Sequence, residues 1–197
     1  MNKKIVYCIR HGISIHNELY KKHGVSTFYN KDYYDTLLTP EGYKQAIDLG
    51  ETWDEIDNIE LVLVSPLKRT LQTAYNIFKN TNIPIIALEH SREYPLGKHT
   101  CNKRSNKEEL EILYPMINFE DLKNNNDVLW NENEEESINS LNNRIYIIKE
   151  YIRKRSEKNI ALVNHSSFIG QMKDNHIKYL ENGEEELKYC YPYKLYV

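Results

Sequence analysis

The 197 residues carry 26 lysines and arginines against 29 aspartates and glutamates, a net charge of -3 spread along the chain, which excludes the basic stripe of a nucleic-acid binder. No stretch approaches the roughly 18–20 apolar residues of a bilayer span, and the apolar run behind the basic start breaks at Arg10, too early for a secretory leader. The length suits one well-filled core, and three cysteines, Cys8, Cys101 and Cys190, without C-x-x-C spacing fit a reducing compartment, so a cytoplasmic protein without membrane or nucleic-acid partners is expected.

In chain order, Lys4-Ile5-Val6-Tyr7-Cys8-Ile9 is a short run of strand type that ends on Arg10-His11-Gly12, with Asn17 shortly after. A buried strand ending this way places the imidazole at the carboxyl edge of a sheet, and Gly12 is expected to let the backbone turn sharply there. Thr39-Pro40 marks a helix start, with Thr39 as cap and Pro40 in the first turn, and the helix should reach about Trp53. Residues 61–64 form a continuous apolar strand, after which Ser65-Pro66 is expected to cap a helix through about Lys79. A third strand is predicted over 84–88. Residues 137–155 predict a helix with Ile138, Leu141, Ile145, Ile148 and Ile152 on one face, and 160–163 a fourth strand. This alternation predicts an α/β fold: a single three-layer α/β/α domain over residues 1–197 with a central, mostly parallel sheet. Residues 91–136, rich in Asn, Lys and Glu, read as an excursion over the sheet edge with a short helix near 107–113, the kind of segment that serves as a lid or binding loop. Its runs Asn124-Asn125-Asn126 and Glu134-Glu135-Glu136 read as solvated surface, and the acidic run lacks the spacing of a calcium loop.

Four pieces follow predicted strands: Arg10-His11-Gly12 with Asn17, Ser65 to Thr70, Arg92-Glu93, and Asn164-His165-Ser166. In a parallel sheet the carboxyl ends lie along one edge, so these pieces can converge. Two imidazoles, two or three guanidiniums, an amide and a carboxylate suit phosphoryl transfer through a histidine. A neutral imidazole, His11, is a competent nucleophile near pH 7. The guanidiniums of Arg10 and Arg69 can hold non-bridging oxygens in pairs, with Asn17 and His165 as further donors. Glu93, if burial raises its pKa, can protonate the leaving alkoxide and later take a proton from water. Such a ring of donors needs neither metal nor organic cofactor.

Each residue also has a plainer reading. His11 or His165 alone would be a hydrogen-bonded histidine at a strand end, and Glu93 could pair with Arg92 or a lysine. His16 and His99 are candidate pocket neighbours, whereas His23 and His90 with His176 have no comparable setting. Lys98, Lys103 and Arg104 either recognise a second anionic group on the substrate or form a solvated basic patch. There is no H-E-x-x-H, P-loop or G-x-G-x-x-G, and no cysteine has an arginine six positions on, which disfavours a metal site, nucleotide loops and a thiolate phosphatase.

Over nearly its whole length the chain resembles the histidine phosphatase superfamily, or phosphoglycerate mutase-like proteins. Arg10-His11-Gly12 resembles the signature around that family's phosphorylated histidine, and Asn17 stands where the family has a phosphate-binding Asn. Leu38-Thr39-Pro40-Glu41-Gly42 with Gln45-Ala46 is similar to its L-T-x-x-G-x-x-Q-A. Residues 65–74 are similar to S-P-L-x-R-T-x-Q-T-A, whose Arg corresponds to Arg69. Glu93 with Gly97 matches E-x-x-x-G, and Val163-Asn164-His165 resembles the setting of the second histidine. Ile13 departs from the Glu that many members carry after the glycine. The resemblance implies catalytic His11 and Glu93, phosphate-binding Arg10, Asn17, Arg69 and His165, and hydrolysis of a small phosphomonoester through a phosphohistidine. The alternatives are cofactor-dependent phosphoglycerate mutase-type transfer and a non-catalytic phosphate-binding or scaffold protein.

Overall fold

The continuous apolar runs become the inner strands of one sheet. In the computed structural model, which describes residues 3–177 and 187–197, the strands are β1 (Ile5–Arg10), β2 (Leu61–Val64), β3 (Ile85–Ala87), β4 (Ile117–Asn118), β5 (Asn159–Asn164) and β6 (Pro192–Tyr196). They pair in the order β4-β3-β2-β5-β1-β6, all parallel except β6, which runs antiparallel along β1.

Because the central strands are covered on both faces, they are continuously apolar up to their polar ends, and successive side chains feed two different cores. Tyr7, Ile9, Val62, Val64, Ala161 and Val163 face a core built with α2 (Pro40–Thr52), α3 (Lys68–Phe78) and α4 (Lys107–Leu113). Val6, Cys8, Leu61, Leu63, Ile160 and Leu162 face the other, under α5 (Ile138–Lys154) and α6 (Ser166–Asp174). The result is the expected three-layer, single-domain α/β/α arrangement. Thr39 caps α2 as its sequence predicts, its hydroxyl accepting the Gly42 N–H at 3.1 Å. In α5 the predicted stripe is buried except for Ile138, which lies in the first turn and is exposed.

Four elements lie outside the sequence expectations: α1 (Ile15–His23), β4, α6 and β6. Helix α1 buries only His16, so it has no apolar period to read. Strand β6 is a half-exposed edge whose first residue is Pro192, a position that edge strands tolerate. Strand β4 shows that residues 91–136 do more than cross the sheet edge: Leu110, Tyr114, Ile117, Phe119 and Leu122 of this segment complete the first core.

Buried charge anchors the same segment. Arg92 pairs both guanidinium ends with Asp127, and Arg104 donates to the carbonyls of Asn124, Asn125 and Asn126. The run 134–136 is not uniformly solvated: Glu136 is buried and receives Arg144 Nε and Nη2, each at 2.7 Å. Sequence composition treats that run as three equal charges, and only the partner on α5 separates the third.

Candidate functional site

Parallel register between β1, β5 and β2 brings three strand ends to one place. The His11 N–H donates to the Asn164 carbonyl at 2.9 Å and the Ser65 N–H to the Val163 carbonyl at 3.1 Å. The ring centroids of His11 and His165 are 5.1 Å apart, and Ser65 Oγ lies 2.8 Å from His165 Nε2. Ser65 is therefore not the cap of α3, which begins at Lys68; that N–H is taken by the buried Asp35 carboxylate at 2.8 Å, from 33 positions earlier.

His11 Nδ1 sits 2.7 Å from the Gly12 carbonyl. A carbonyl only accepts, so Nδ1 carries the proton and Nε2 keeps its lone pair. Burial, followed by the charges of Arg69 and Arg10, holds the His11 pKa well below its usual value and keeps the ring neutral. Arg69 is fully buried, with Nη1 donating to the Cys101 carbonyl at 2.7 Å and Nη2 to Asn102 Oδ1 at 3.0 Å, while its Nε has no partner. His165 Nδ1 is likewise buried without a hydrogen bond. Arg10 donates to the Leu187 carbonyl at 2.7 Å and to the Tyr189 hydroxyl at 3.0 Å, and its guanidinium stacks 3.8 Å from the Tyr189 ring centroid.

The loop after β1 is locked by backbone contact. A Cβ on Gly12 would lie 2.4 Å from the Gly42 carbonyl oxygen, and one on Gly42 would lie 2.1 Å from the Ile13 oxygen. Gly12 is thus required for close approach to α2, and its φ is not left-handed, which corrects the expected reason for it. Thr73 Oγ1 accepts the Gly12 N–H at 3.1 Å, Gln45 Oε1 accepts the Ile13 N–H at 3.0 Å, and the Thr39 N–H and hydroxyl both reach the Ile13 carbonyl. The motif residues around 39–45 and 72–73 hold the His11 loop in place without touching the cavity.

Glu93 faces the cavity from the segment after β3. Its carboxylate accepts the N–H groups of Tyr94 at 2.8 Å, Phe168 at 3.2 Å and Ser167 at 3.4 Å. Burial outweighs these bonds and the pull of Arg69, so its pKa is raised. The backbone behind it is clamped by Arg144 Nη1, which donates to the carbonyls of Arg92 at 2.7 Å and His90 at 2.9 Å.

A cavity of about 110 Å³ opens above His11 and is lined by Arg10, Asn17 and Glu93, with rings from His16, Tyr20, Phe28, His99 and Tyr189. Arg69 and His165 are off the cavity wall, beside His11. Asn17 reaches it from α1, where its Oδ1 accepts from the Ser14 N–H at 3.1 Å and hydroxyl at 2.6 Å. His16 and His99 are the pocket neighbours that their positions suggest; Ser65, in one of the four converging pieces, reads from sequence as a cap and not as the partner of His165, and no spacing signal points to Tyr189 or the remaining rings. Lys98, Lys103 and Arg104 do not line the cavity. Lys98 faces Glu135 at 3.9 Å, Lys103 lies over the Tyr34 and Trp130 rings, and Arg104 is buried among carbonyls. None of the three is therefore placed to meet a second anionic group on a substrate in this cavity. Ile13 is also off the cavity wall. Burial pushes the thiols of Cys8 and Cys101 up to about 12 and about 11, so neither offers a thiolate. Among the described residues no group of three or more His, Cys, Asp and Glu side chains is placed to hold a metal ion; the arrangement of donors suits an anion.

The profile of the histidine phosphatase superfamily (branch 1) matches residues 6–179. The chain belongs to that superfamily. It is 32% identical over 197 residues to a phosphoglycerate mutase-like protein of Arabidopsis thaliana, covering 84% of this chain and 72% of the relative. It is 27% identical over 176 residues to a Schizosaccharomyces pombe protein named as a probable phosphatase, covering 82% and 74%. In fold it is similar to the ecdysone phosphate phosphatase of Bombix mori, solved with tungstate, with a TM-score of 0.59, 17% identity, and coverage of 97% of this chain and 87% of that one. No described helix is long and apolar enough to cross a membrane. Membership of the histidine phosphatase superfamily makes the chemistry phosphoryl hydrolysis or transfer.

Proposed function

We propose that this histidine phosphatase superfamily member hydrolyses phosphomonoesters through a phosphohistidine on His11. The observation that carries the reading is the pinned, neutral His11 ring, with its Nδ1 proton held by Gly12 and Nε2 left as the nucleophile. Nε2 attacks phosphorus in line as the ester oxygen departs. Arg10 and Asn17 hold non-bridging oxygens from the cavity wall, and Arg69 and His165, which lie beside His11 off that wall, complete the clamp through the buried Arg69 Nε and through His165 Nδ1, which is a donor when the Ser65 hydroxyl donates to Nε2. Glu93, whose pKa burial raises above the ordinary carboxylate value, is the group that gives its proton to the departing alkoxide. The resulting carboxylate takes a proton from water, which attacks the phosphohistidine, releases inorganic phosphate and restores neutral His11 and protonated Glu93. Residues 91–136 would act as the lid that carries Glu93. We favour hydrolysis over mutase transfer because, among the described residues, the lysines and arginines lining the cavity are Arg10 at its phosphate end and the water-exposed Lys21, which leaves no buried cation beyond the phosphate end for a phosphoglycerate carboxylate.

The test is hydrolysis of para-nitrophenyl phosphate by wild type and His11→Ala in chelator. Metal-independent turnover that His11→Ala abolishes, with acid-labile phosphate trapped on the wild type, is the expected result. Turnover surviving in His11→Ala would refute the nucleophile. Trapped phosphate that water does not release, with turnover only on a bisphosphate primer, would convert the reading to a mutase, and phosphate binding with no phosphohistidine would convert it to a binding protein.

A further inference from the structure

Beyond the phosphate end, the cavity is walled by rings rather than charges. Tyr20 and Phe28 stack at 4.9 Å between centroids with 19° between planes, and Phe28 and His99 stack at 4.7 Å with 17°. His16 meets Phe28 edge-on at 6.4 Å and lies 6.3 Å from His11, so the rings lead outward from the nucleophile. Three separate segments supply the stack: α1, the 3-10 turn Gly24–Tyr29, and the residue before the 3-10 turn Thr100–Asn102. The Thr100 hydroxyl ties two of them together through the carbonyls of Phe28 at 3.1 Å and Asn30 at 2.8 Å. The wall is therefore built before any ligand arrives.

Charge in the outer cavity is sparse. Among the described residues the lysines and arginines lining the cavity are Arg10 at the phosphate end and Lys21, which is exposed to water. Burial holds the His99 pKa below its usual value, so that ring faces the cavity as a neutral aromatic. A carboxylate or second phosphate placed among these rings would lose hydration with little in return, whereas an apolar ring would gain both buried area and ring contact.

From this wall we infer that the phosphomonoester taken by the site carries an uncharged alcohol half bearing an aromatic or similarly flat apolar ring, seated against Tyr20, Phe28 and His99, and not a short anionic chain. The inference rests on the phosphate-binding reading of the inner site and goes further in naming the leaving group.

The experiment uses phosphonates, whose P–C bond keeps turnover out of the measurement. Wild type, Phe28→Ala and Tyr20→Ala are titrated calorimetrically with ethylphosphonate, 2-phenylethylphosphonate and 2-carboxyethylphosphonate, and para-nitrophenyl phosphate turnover is measured in parallel. Wild type should bind the phenyl compound roughly tenfold more tightly than the ethyl compound and gain nothing from the carboxylate. Each variant should cut the phenyl-to-ethyl ratio about fivefold or more. Phe28 and Tyr20 are both half-buried, so two variants guard against one that fails to fold. A flat phenyl-to-ethyl ratio, or tightest binding by the carboxylate, overturns the inference even if the protein is an active phosphatase. A high ratio in a protein with no turnover upholds it and removes the hydrolase reading alone.

Discussion

Substituting Gly42 by alanine tests whether His11 is positioned by backbone contact with α2. The new Cβ would sit 2.1 Å from the Ile13 oxygen and 2.9 Å from the Ile13 nitrogen, against the 3.4 Å at which ordinary contact begins. The loop carrying His11 must then retreat from α2 by about 1.3 Å, since the obstructing atoms are backbone and no rotamer change relieves them. Retreat strains the bonds to the Ile13 carbonyl from the Thr39 N–H at 2.9 Å and hydroxyl at 3.1 Å, and that of its N–H to Gln45 at 3.0 Å. At about 1 kcal/mol per bond, this is a loss of roughly 3 kcal/mol, from which alanine's advantage over glycine inside a helix recovers about 1 kcal/mol. The net expectation is about 2 kcal/mol by denaturant melt. Activity should suffer out of proportion, because a displacement near 1 Å at a nucleophile costs on the order of 100-fold in kcat. The assay is kcat for para-nitrophenyl phosphate at a temperature where the folded fraction exceeds nine-tenths. A kcat within about threefold of wild type in a folded Gly42→Ala protein would refute positioning through the backbone contact of Ile13 with Gly42.

Glu93→Gln keeps the shape and removes the proton; kcat should fall about 100- to 10,000-fold, and phosphohistidine should accumulate because its hydrolysis lacks a base, so a variant with wild-type phosphoenzyme lifetime would exclude Glu93. The pH profile follows from two directions. Activity should rise as pH climbs through the His11 pKa, held below 6.5, and fall as pH passes the Glu93 pKa, held above 4.5; any residual activity of Glu93→Gln should lose the alkaline limb. Arg144→Met leaves Glu136 buried without its partner and should cost about 3–5 kcal/mol; Arg144→Lys, which restores the charge but not the fork, should recover part of the stability while kcat remains depressed and KM is near wild type, and an unchanged kcat would show that the clamp on the Arg92 carbonyl does not position Glu93. His11, His16 and His165 all have pKa values held below the ordinary 6.5 by burial, so the unfolded chain takes up more protons as pH falls. Stability should be complete above about pH 6.5 and decline beneath it, each histidine contributing up to about 1.4 kcal/mol per pH unit. Asp35 and Glu93, held above their ordinary values, oppose this, so Glu93→Gln should steepen the decline; urea melts between pH 5.5 and 7.5 that gave rising stability on acidification would contradict the buried neutral histidines.

What the sequence carries and what it hides divide along a physical line. Strands β1, β2 and β5 are buried on both faces, so their apolar runs announce them, and α2 and α5 are marked by Thr39, Pro40 and a buried stripe. Strands β4 and β6 are edges, and α1 and α6 are single short helices; each depends on a neighbour for its stability and so leaves little periodic trace. The inner site is legible because Arg10-His11, Arg69 and Asn164-His165 follow strands whose parallel order makes their ends meet. The ring wall is not, since Tyr20, Phe28 and His99 belong to loops and a helix whose meeting is fixed by contacts such as Thr100 with the Phe28 carbonyl. The same holds for Ser65, read as a cap until His165 is seen beside it, and for Glu136, read as one of three surface charges until Arg144 is placed against it.

The opposite shifts of His11 and Glu93 have one common cause, and it makes the order of events in the proposed cycle intelligible. Burial disfavours charge of either sign, so the same site shifts the imidazole toward its unprotonated form and the carboxyl toward its protonated form. Those are the two states that attack and leaving-group protonation require, whereas an exposed pair of these groups would hold the reverse charges between about pH 4.3 and 6.5. A phosphate dianion entering the site offsets the Arg10 and Arg69 charges that help keep His11 neutral. Burial, the larger influence on His11, persists. The same dianion raises the Glu93 pKa further by repulsion, so the acid holds its proton until a more basic alkoxide forms. Once the alcohol has left with that proton, Glu93 is a carboxylate beside Arg69 and the N-terminal N–H groups of α6, an environment that tolerates the anion long enough for it to draw a proton from water. Acid and base are thus one residue in two phases of the cycle, separated by the charge that the substrate brings and the alcohol that it takes away.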